Sequence, residues 1–350
     1  MIFAHSPRHH RLRRRAVALL VCAIGVGMPL HGRAYQQFGV QAGGRTVKLK
    51  WNQLPVHYYI ENVGIAGVSA TDMQNAVAAS FTTWANVPTA SVSVQFAGLT
   101  SARPTQDDGL SVLGFLSDLA EPDVLGSTDW LIDTSTGEIV ESDIFFNSAF
   151  VDRPQGIKWS VAAGGETGKF DLQSIATHEI GHFFGLGHSA LGETQQVTNG
   201  RRVIAKGAVM FPIAYSPGNT TDRALQPDDI AGISDLYPAG GFTATTGSVT
   251  GTVTKNGKGV FGAHVVAFSP SGGTLVGNFT QDDTGAFTIS GLAPGPVILR
   301  VEPVDDADLD SFFDDPSTVD VNFKIAFYPQ FAIVPKGGNA GQIRIQVTSK

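Results

Sequence analysis

Cysteine occurs once in the 350 residues, as Cys22. Every residue beyond it must do without disulfides, thiolate metal ligands and a thiol nucleophile. Long apolar runs are also scarce. The longest, AVALLVCAIGVGMPL (16–30), is too short for a comfortable membrane span and follows the basic stretch RHHRLRRR (8–15). Small residues then stand at Gly32-Arg33-Ala34. This is the layout of a secretory signal peptide, so residues 1–34 are expected to leave the mature chain, which then has no membrane span. Positive charge is the third scarcity. Loss of six arginines and no acid takes the formal charge from −7 to −13. So acidic a chain is a poor partner for nucleic acid or anionic membranes. The expected location is extracellular or periplasmic, and nothing in the composition calls for more than a monomer.

Histidine is sparse as well. Nine are present, and His5, His9, His10 and His31 belong to the signal segment. Three of the five others lie within eleven residues, HEIGHFFGLGH (178–188). Four residues apart on a helix, His178 and His182 share one face and can take two corners of a tetrahedral metal. Gly185 stands where the helix must stop and swing round, a turn that glycine enters at little cost. His188 then arrives as a third ligand. The fourth position stays open for water, which marks a catalytic rather than a structural zinc. Glu179, beside a ligand, can act on that water. The remaining two, His57 in a strand and His264 further on, read as ordinary satisfied or exposed side chains.

Organisation follows from periodicity. LPVHYYI (54–60), SVSVQFAG (91–98), VLGSTDWLID (124–133) and GEIVESDIFFN (137–147) read as strands. Residues 70–87 read as a helix with Val77, Phe81 and Trp84 on one face. A metal helix spans 169–187 with Asp171 capping its start. A polar insertion (192–202) precedes AVMFPIAY (208–215), and LQPDDIAGISDLY (225–237) reads as a closing helix with Pro227 in its first turn. Residues 238–247 have linker composition. Beyond them come short alternating strands and an Asn-Gly turn, with no helical period, as in a β-sandwich. The expected fold is α+β, with a catalytic domain over 35–240 and an all-β sandwich over 241–350.

With HExxHxxGxxH at 178–188, Ser189 after it, Met210-Phe211-Pro212, TGEIVESDIFFN and QPDDIAGISDLY, the chain resembles the matrixin branch of the metzincin zinc endopeptidases. The resemblance implies a twisted mixed sheet with long helices around a zinc cleft. It implies His178, His182 and His188 as ligands of one Zn2+, Glu179 as general base and then acid, and Met210 as the structural methionine beneath the metal. The strand near 124–131 would be the edge on which a protein or peptide substrate adds as an extra strand. Some features depart from the pattern. The cysteine of the animal enzymes' latency switch and the histidines of their second zinc have no counterpart here. Two residues, Ile213 and Ala214, separate Pro212 from Tyr215 where one is usual. TGTVTKNGKGVFGAHV and TQDDTGAFTISGLAPGPVILRV resemble carboxypeptidase-regulatory or transthyretin-like sandwiches. Asp306, Asp308 and Asp310 match the opening of a calcium loop, but Ser311 and Ser317 replace its glycine and glutamate. Ca2+ is therefore unsupported, and a solvated acidic loop is expected. The rival to a peptidase is a surface adhesion or carbohydrate-binding protein whose metal domain is a scaffold.

Overall fold

The computed structural model describes residues 37–118, 124–149, 151, 156–198 and 200–350. The expected signal peptide lies outside them. Among the described residues no helix is long and apolar enough to cross a membrane.

A short hairpin, β1 (Gly39–Ala42) and β2 (Arg45–Lys48), leads into a five-stranded sheet. That sheet contains β3 (Val56–Glu61), β4 (Val94–Thr100), β5 (Val112–Leu116), β6 (Gly126–Asp133) and β7 (Glu138–Asn147), in the order β4-β3-β5-β7-β6. All neighbours are parallel except β6, which runs antiparallel to β7 at one edge. The expected mixed sheet is therefore present. The second strand begins three residues later than its alternation suggested, at Val94, because Ser91 is held by the carbonyl of Tyr237.

Helix α1 (Ala70–Ala85) starts at Ser69, whose hydroxyl accepts from Asp72 N while Asp72 accepts from Ser69 N. This reciprocal cap satisfies two otherwise orphaned donors. Met73, Ala76, Val77, Phe81 and Trp84 form its buried stripe. They pack on the sheet and on the zinc-motif helix around Tyr58, Phe81 and Phe183. Two-residue strands β8 (Trp159–Ser160) and β9 (Phe170–Asp171) then feed α2 (Leu172–Phe183). Asp171 caps that helix by accepting from Ser174 N, and Arg223 grips both of its carboxylate oxygens.

Residues 192–202 were expected as a polar insertion. Together with the residues up to Lys206 they form a hairpin, β10 (Gly192–Val197) and β11 (Gly200–Lys206). Helix α3 (Pro227–Leu236) closes this half, with Pro227 at its start as expected. The segment of linker composition contains a single turn of helix, α4 (Phe242–Thr245), and buries Phe242. It is therefore tied down by packing and is not a free tether.

The last hundred residues form two facing sheets. One contains β12 (Gly247–Lys255), β13 (Lys258–Gly259), β16 (Ala286–Leu292) and β20 (Asn339–Val347). The other contains β14 (His264–Ser269), β15 (Thr274–Phe279), β17 (Gly295–Glu302), β18 (Ala326–Phe327) and β19 (Ala332–Val334). Alternate residues such as Val249, Val253, Ile289, Leu299 and Val301 fill the space between them. The absence of helical period is matched: only 3-10 turns interrupt the strands, at Leu309–Ser311 and Pro316–Thr318.

Candidate metal centre

Helix α2 carries the first two histidines through the middle of the catalytic half. Indole and phenol donors tie its carbonyls to neighbouring elements. Trp84 Nε1 donates to Thr177 O, Trp130 Nε1 to His182 O, Trp51 Nε1 to Phe183 O and Tyr237 Oη to Phe184 O. Those to Phe183 O and Phe184 O satisfy acceptors that a helix end leaves open, whereas Thr177 O is mid-helix and His182 O also accepts from Gly185 N. Together these bonds fix the axial position of the helix. Gly185 takes φ of +97°, and a Cβ there would stand 2.3 Å from Leu49 O. Both facts require glycine at this turn.

His178, His182 and His188 converge, with His182 Nε2 at 3.1 Å from His178 Nε2 and 3.2 Å from His188 Nε2. The other nitrogen of each ring faces a backbone carbonyl. His178 Nδ1 donates to Val209 O at 2.8 Å, His182 Nδ1 to Leu186 O at 2.7 Å and His188 Nδ1 to Ser311 O at 2.7 Å. A carbonyl can only accept, so each Nδ1 must carry the proton and each Nε2 a bare lone pair. Three lone pairs directed at one point cannot hydrogen-bond one another. They can share a cation, and tetrahedral geometry at ordinary zinc–nitrogen lengths separates such nitrogens by about 3.3 Å. Burial pushes the pKa of His178 and His182 well below the usual histidine value, with the neighbouring rings adding repulsion. Neutral imidazole is the form a metal needs. Among the described residues this is the group of His, Cys, Asp and Glu side chains whose donor atoms could hold a metal ion.

Glu179 is also buried. Its carboxylate accepts from Thr128 Oγ1 on β6 at 2.8 Å. Burial raises its pKa to about 8, and Asp129 reinforces the shift while Thr128 opposes it. Gly126 opens the same strand; a Cβ there would come within 2.9 Å of Glu179 Oε1. The edge strand thus runs against the glutamate itself.

Met210 lies under α2, where a Cβ on Gly181 would meet its sulfur at 2.2 Å. Glycine between the two helical histidines is what admits the methionine. Asp229 holds this turn by accepting from Val209 N at 2.8 Å and Met210 N at 3.1 Å. Its neighbour Asp228 accepts from Ser189 Oγ at 2.7 Å and from Gly277 N of β15 at 2.8 Å. Burial raises both carboxyls, to about 6 for Asp229 and about 7 for Asp228. The site reaches into the other half of the chain in one more way: Phe312 packs edge-on to His188, with centroids 6.4 Å apart.

Of the residues named from the sequence, the three histidines converge, Glu179 stands on the same helix against β6, and Met210 lies against Gly181 of that helix. Thr128, Asp228 and Ser311 were not foreseen. The QPDD segment held a signal for Asp228. Nothing local marks Ser311, which lies 123 residues from its partner. His57 is exposed, and His264 is paired with Glu302. The aspartates of the candidate calcium loop do not converge. Asp306 turns to Thr194, and Asp308 lies near Arg201.

A family model described as Matrixin matches residues 50–238, over half of the chain. Metalloendoproteinase 2-MMP of Arabidopsis thaliana is 35% identical over 98 residues, 28% of this chain and 22% of that protein. Matrilysin of Rattus norvegicus is 37% identical over 73 residues, 21% of this chain and 22% of its own length. Metalloendoproteinase 1 of Glycine max is 41% identical over 71 residues, 20% of this chain and 18% of its own. The chain thus spans about a fifth of each of these relatives.

Proposed function

The chain belongs to the matrixin family, and from that premise we propose that it is a secreted zinc-dependent endopeptidase with Glu179 as general base and then general acid. The observation that carries this reading is the set of three carbonyl-bound imidazoles. Their protons are fixed on Nδ1 and their Nε2 lone pairs converge, with Glu179 on the same helix as two of them. His178, His182 and His188 would hold the ion, and the chemistry zinc supplies when bound is polarisation of a carbonyl and acidification of water.

The remaining chemistry falls to the chain itself. Edge strand β6 pairs on one side with β7, and its other side offers main-chain groups to an extended peptide. A peptide added there is delivered to Glu179, because Gly126 and Thr128 of the strand touch that residue. In its ionised form, which a cation held by the three histidines would favour against the effect of burial, Glu179 takes a proton from the attacking water and returns it to the leaving amine. The Thr128 hydroxyl donates to its carboxylate and holds it in place between the two transfers. Met210 forms the apolar floor. Secretion is proposed from the basic and apolar N-terminal segment, and the mature chain is expected to begin after Ala34.

The test is Glu179→Ala in the full chain, assayed on a peptide library. We expect the variant to keep its fold and its zinc but to lose turnover by about 10²–10⁴-fold. Near-normal cleavage would assign the base to another residue. No cleavage by the wild type, with an undiminished surface-binding function in the variant, would favour the adhesion reading.

A further inference from the structure

We infer that the loop over Val304–Phe313 of the C-terminal sheets is a positioning element of the metal centre, acting on His188 through the main-chain carbonyl of Ser311. This rests on the reading of the three histidines as zinc ligands and goes beyond it in assigning the second half of the chain a part in the site.

The third histidine is the one that needs outside help. His178 and His182 are oriented by the helix that carries them and by carbonyls of Val209 and Leu186, within the catalytic half. His188 sits beyond the Gly185 turn, outside any helix or strand. Its ring must be aimed by packing and by the partner of its Nδ1. The Nδ1 partner comes from the other half, as the Ser311 carbonyl at 2.7 Å, and so does one of its ring neighbours, the edge-on Phe312. A hydrogen bond at Nδ1 fixes the tautomer, orients the ring and raises the basicity of the liganding nitrogen.

The loop that presents Ser311 is anchored to both halves. A 3-10 turn over Leu309–Ser311 shapes it, with Ser311 N donating to Asp308 O. On the catalytic side, Thr194 of β10 donates from its N to Asp306 Oδ1 at 2.6 Å and from its Oγ1 to Asp306 O at 2.8 Å. Arg201 of β11 donates to Asp305 O at 3.0 Å. On the sandwich side, Phe312 and Phe313 pack against Phe279. Phe211 and Ile213, which follow Met210, join the same buried cluster as Phe279, Val304 and Phe312. A second contact braces the next residue: Gly277 N of β15 donates to Asp228, which accepts from Ser189. The hairpin at 192–206 thereby gains a role as the dock on which the loop rests.

The experiment measures zinc release from the purified full-length protein to a chromophoric chelator, at a temperature where every variant is folded. Asp306→Ala removes the Oδ1 acceptor and leaves Asp306 O, Thr194→Val removes the Oγ1 donor and leaves Thr194 N, and Phe312→Ala removes the ring beside His188. Val334→Ala, a core truncation in β19 that lies outside the loop and its anchors, controls for loss of stability alone. We expect zinc release to accelerate by about 10-fold or more in Asp306→Ala and Phe312→Ala, the scale seen when partners of metal ligands are removed. Thr194→Val should accelerate it too, and further in combination with Asp306→Ala, because the double variant also loses the Oγ1 bond to Asp306 O that Asp306→Ala keeps. Val334→Ala should release zinc at the wild-type rate. Cobalt-loaded Phe312→Ala should show shifted visible bands, which a general loss of stability would not produce. Unchanged release in the three loop variants, or equal acceleration in Val334→Ala, overturns the inference and leaves the zinc reading intact. A wild type that binds no zinc sensitive to His182→Ala overturns both.

Discussion

The two sides of the metal centre are built by different means. His178 and His182 stand on a buried helix packed among aromatic side chains, with its carbonyls held by three tryptophans and a tyrosine. His188 stands on an irregular turn, and its partners come from a loop over a hundred residues away. The helical side is a local design, repeated every turn by one pattern of hydrogen bonds. The other side exists only when two halves of the chain are docked. One metal site can thus combine ligands carried by one buried helix with a ligand oriented by long-range tertiary contact.

The strongest way to break this comparison is to damage the helical side. Phe183 is fully buried and packs against Trp51, Phe81 and Phe184. Phe183→Ala should cost about 3–5 kcal/mol, the range for large aromatic truncations in cores, and lower the Tm of the whole protein. Thermal melts followed by circular dichroism would check it. A loss under 1 kcal/mol would show that the helix is held mainly from its ends.

A smaller effect is expected where both sides meet. Asp229→Ala leaves Val209 N, Met210 N and Gln226 N without their acceptor. Destabilisation of about 2–3 kcal/mol should follow, the cost of unpairing buried donors. Urea unfolding measures it, and an unchanged midpoint would mean that water replaces the carboxylate.

The dependence on pH sharpens the contrast further. In zinc-stripped protein, His178 and His182 are held below their unfolded pKa by burial and by the adjacent rings. The unfolded chain binds protons that the folded chain refuses, so these groups make stability fall as pH drops below about 6.5. Zinc-free His182→Ala should show a shallower loss on the acid side. Asp143 works in the opposite sense. Burial raises it to about 8, although Val112, Thr105 and Gln106 donate N–H groups to it. Its contribution is fully present below about pH 4 and is lost as pH rises through 8. Asp143→Asn should be less stable than wild type at low pH and lose less between pH 4 and 8. Parallel pH curves for either variant and the wild type would contradict these assignments.

The smallest effect is expected at the start of the helix. Arg223→Ala removes the partly exposed grip on Asp171 but leaves the cap to Ser174 N. A loss of about 1 kcal/mol should appear in urea unfolding, with zinc release unchanged. Faster release would show that the helix position is less rigid than its indole bonds suggest.

Much of the catalytic half was legible because its information is local. Histidine spacing on one helical face, the Gly185 turn, the Asp171 and Pro227 start signals and the strand alternation all act over a few residues. The hairpin at 192–206 was not legible. Its residues are largely polar on both faces, so no alternation betrays a strand; pairing is set by the other strand and by the loop it supports. Residues 238–247 were read as a tether from their small and flexible side chains. The burial of Phe242 depends on neighbours that composition does not name.

What the sequence by itself determined is the donor set and its chemistry: three imidazoles, one carboxylate and the glycine that lets them meet. These are fixed by residue type and by the geometry of a single helix and turn. What only the tertiary structure decided is which groups hold those donors in place. The tautomer of His188 is set by Ser311 O, the carboxylate of Glu179 by Thr128, and the turn after His188 by Asp228 and Gly277. Main-chain carbonyls and amides carry no sequence signature, since every residue has them. Their selection is made by docking alone.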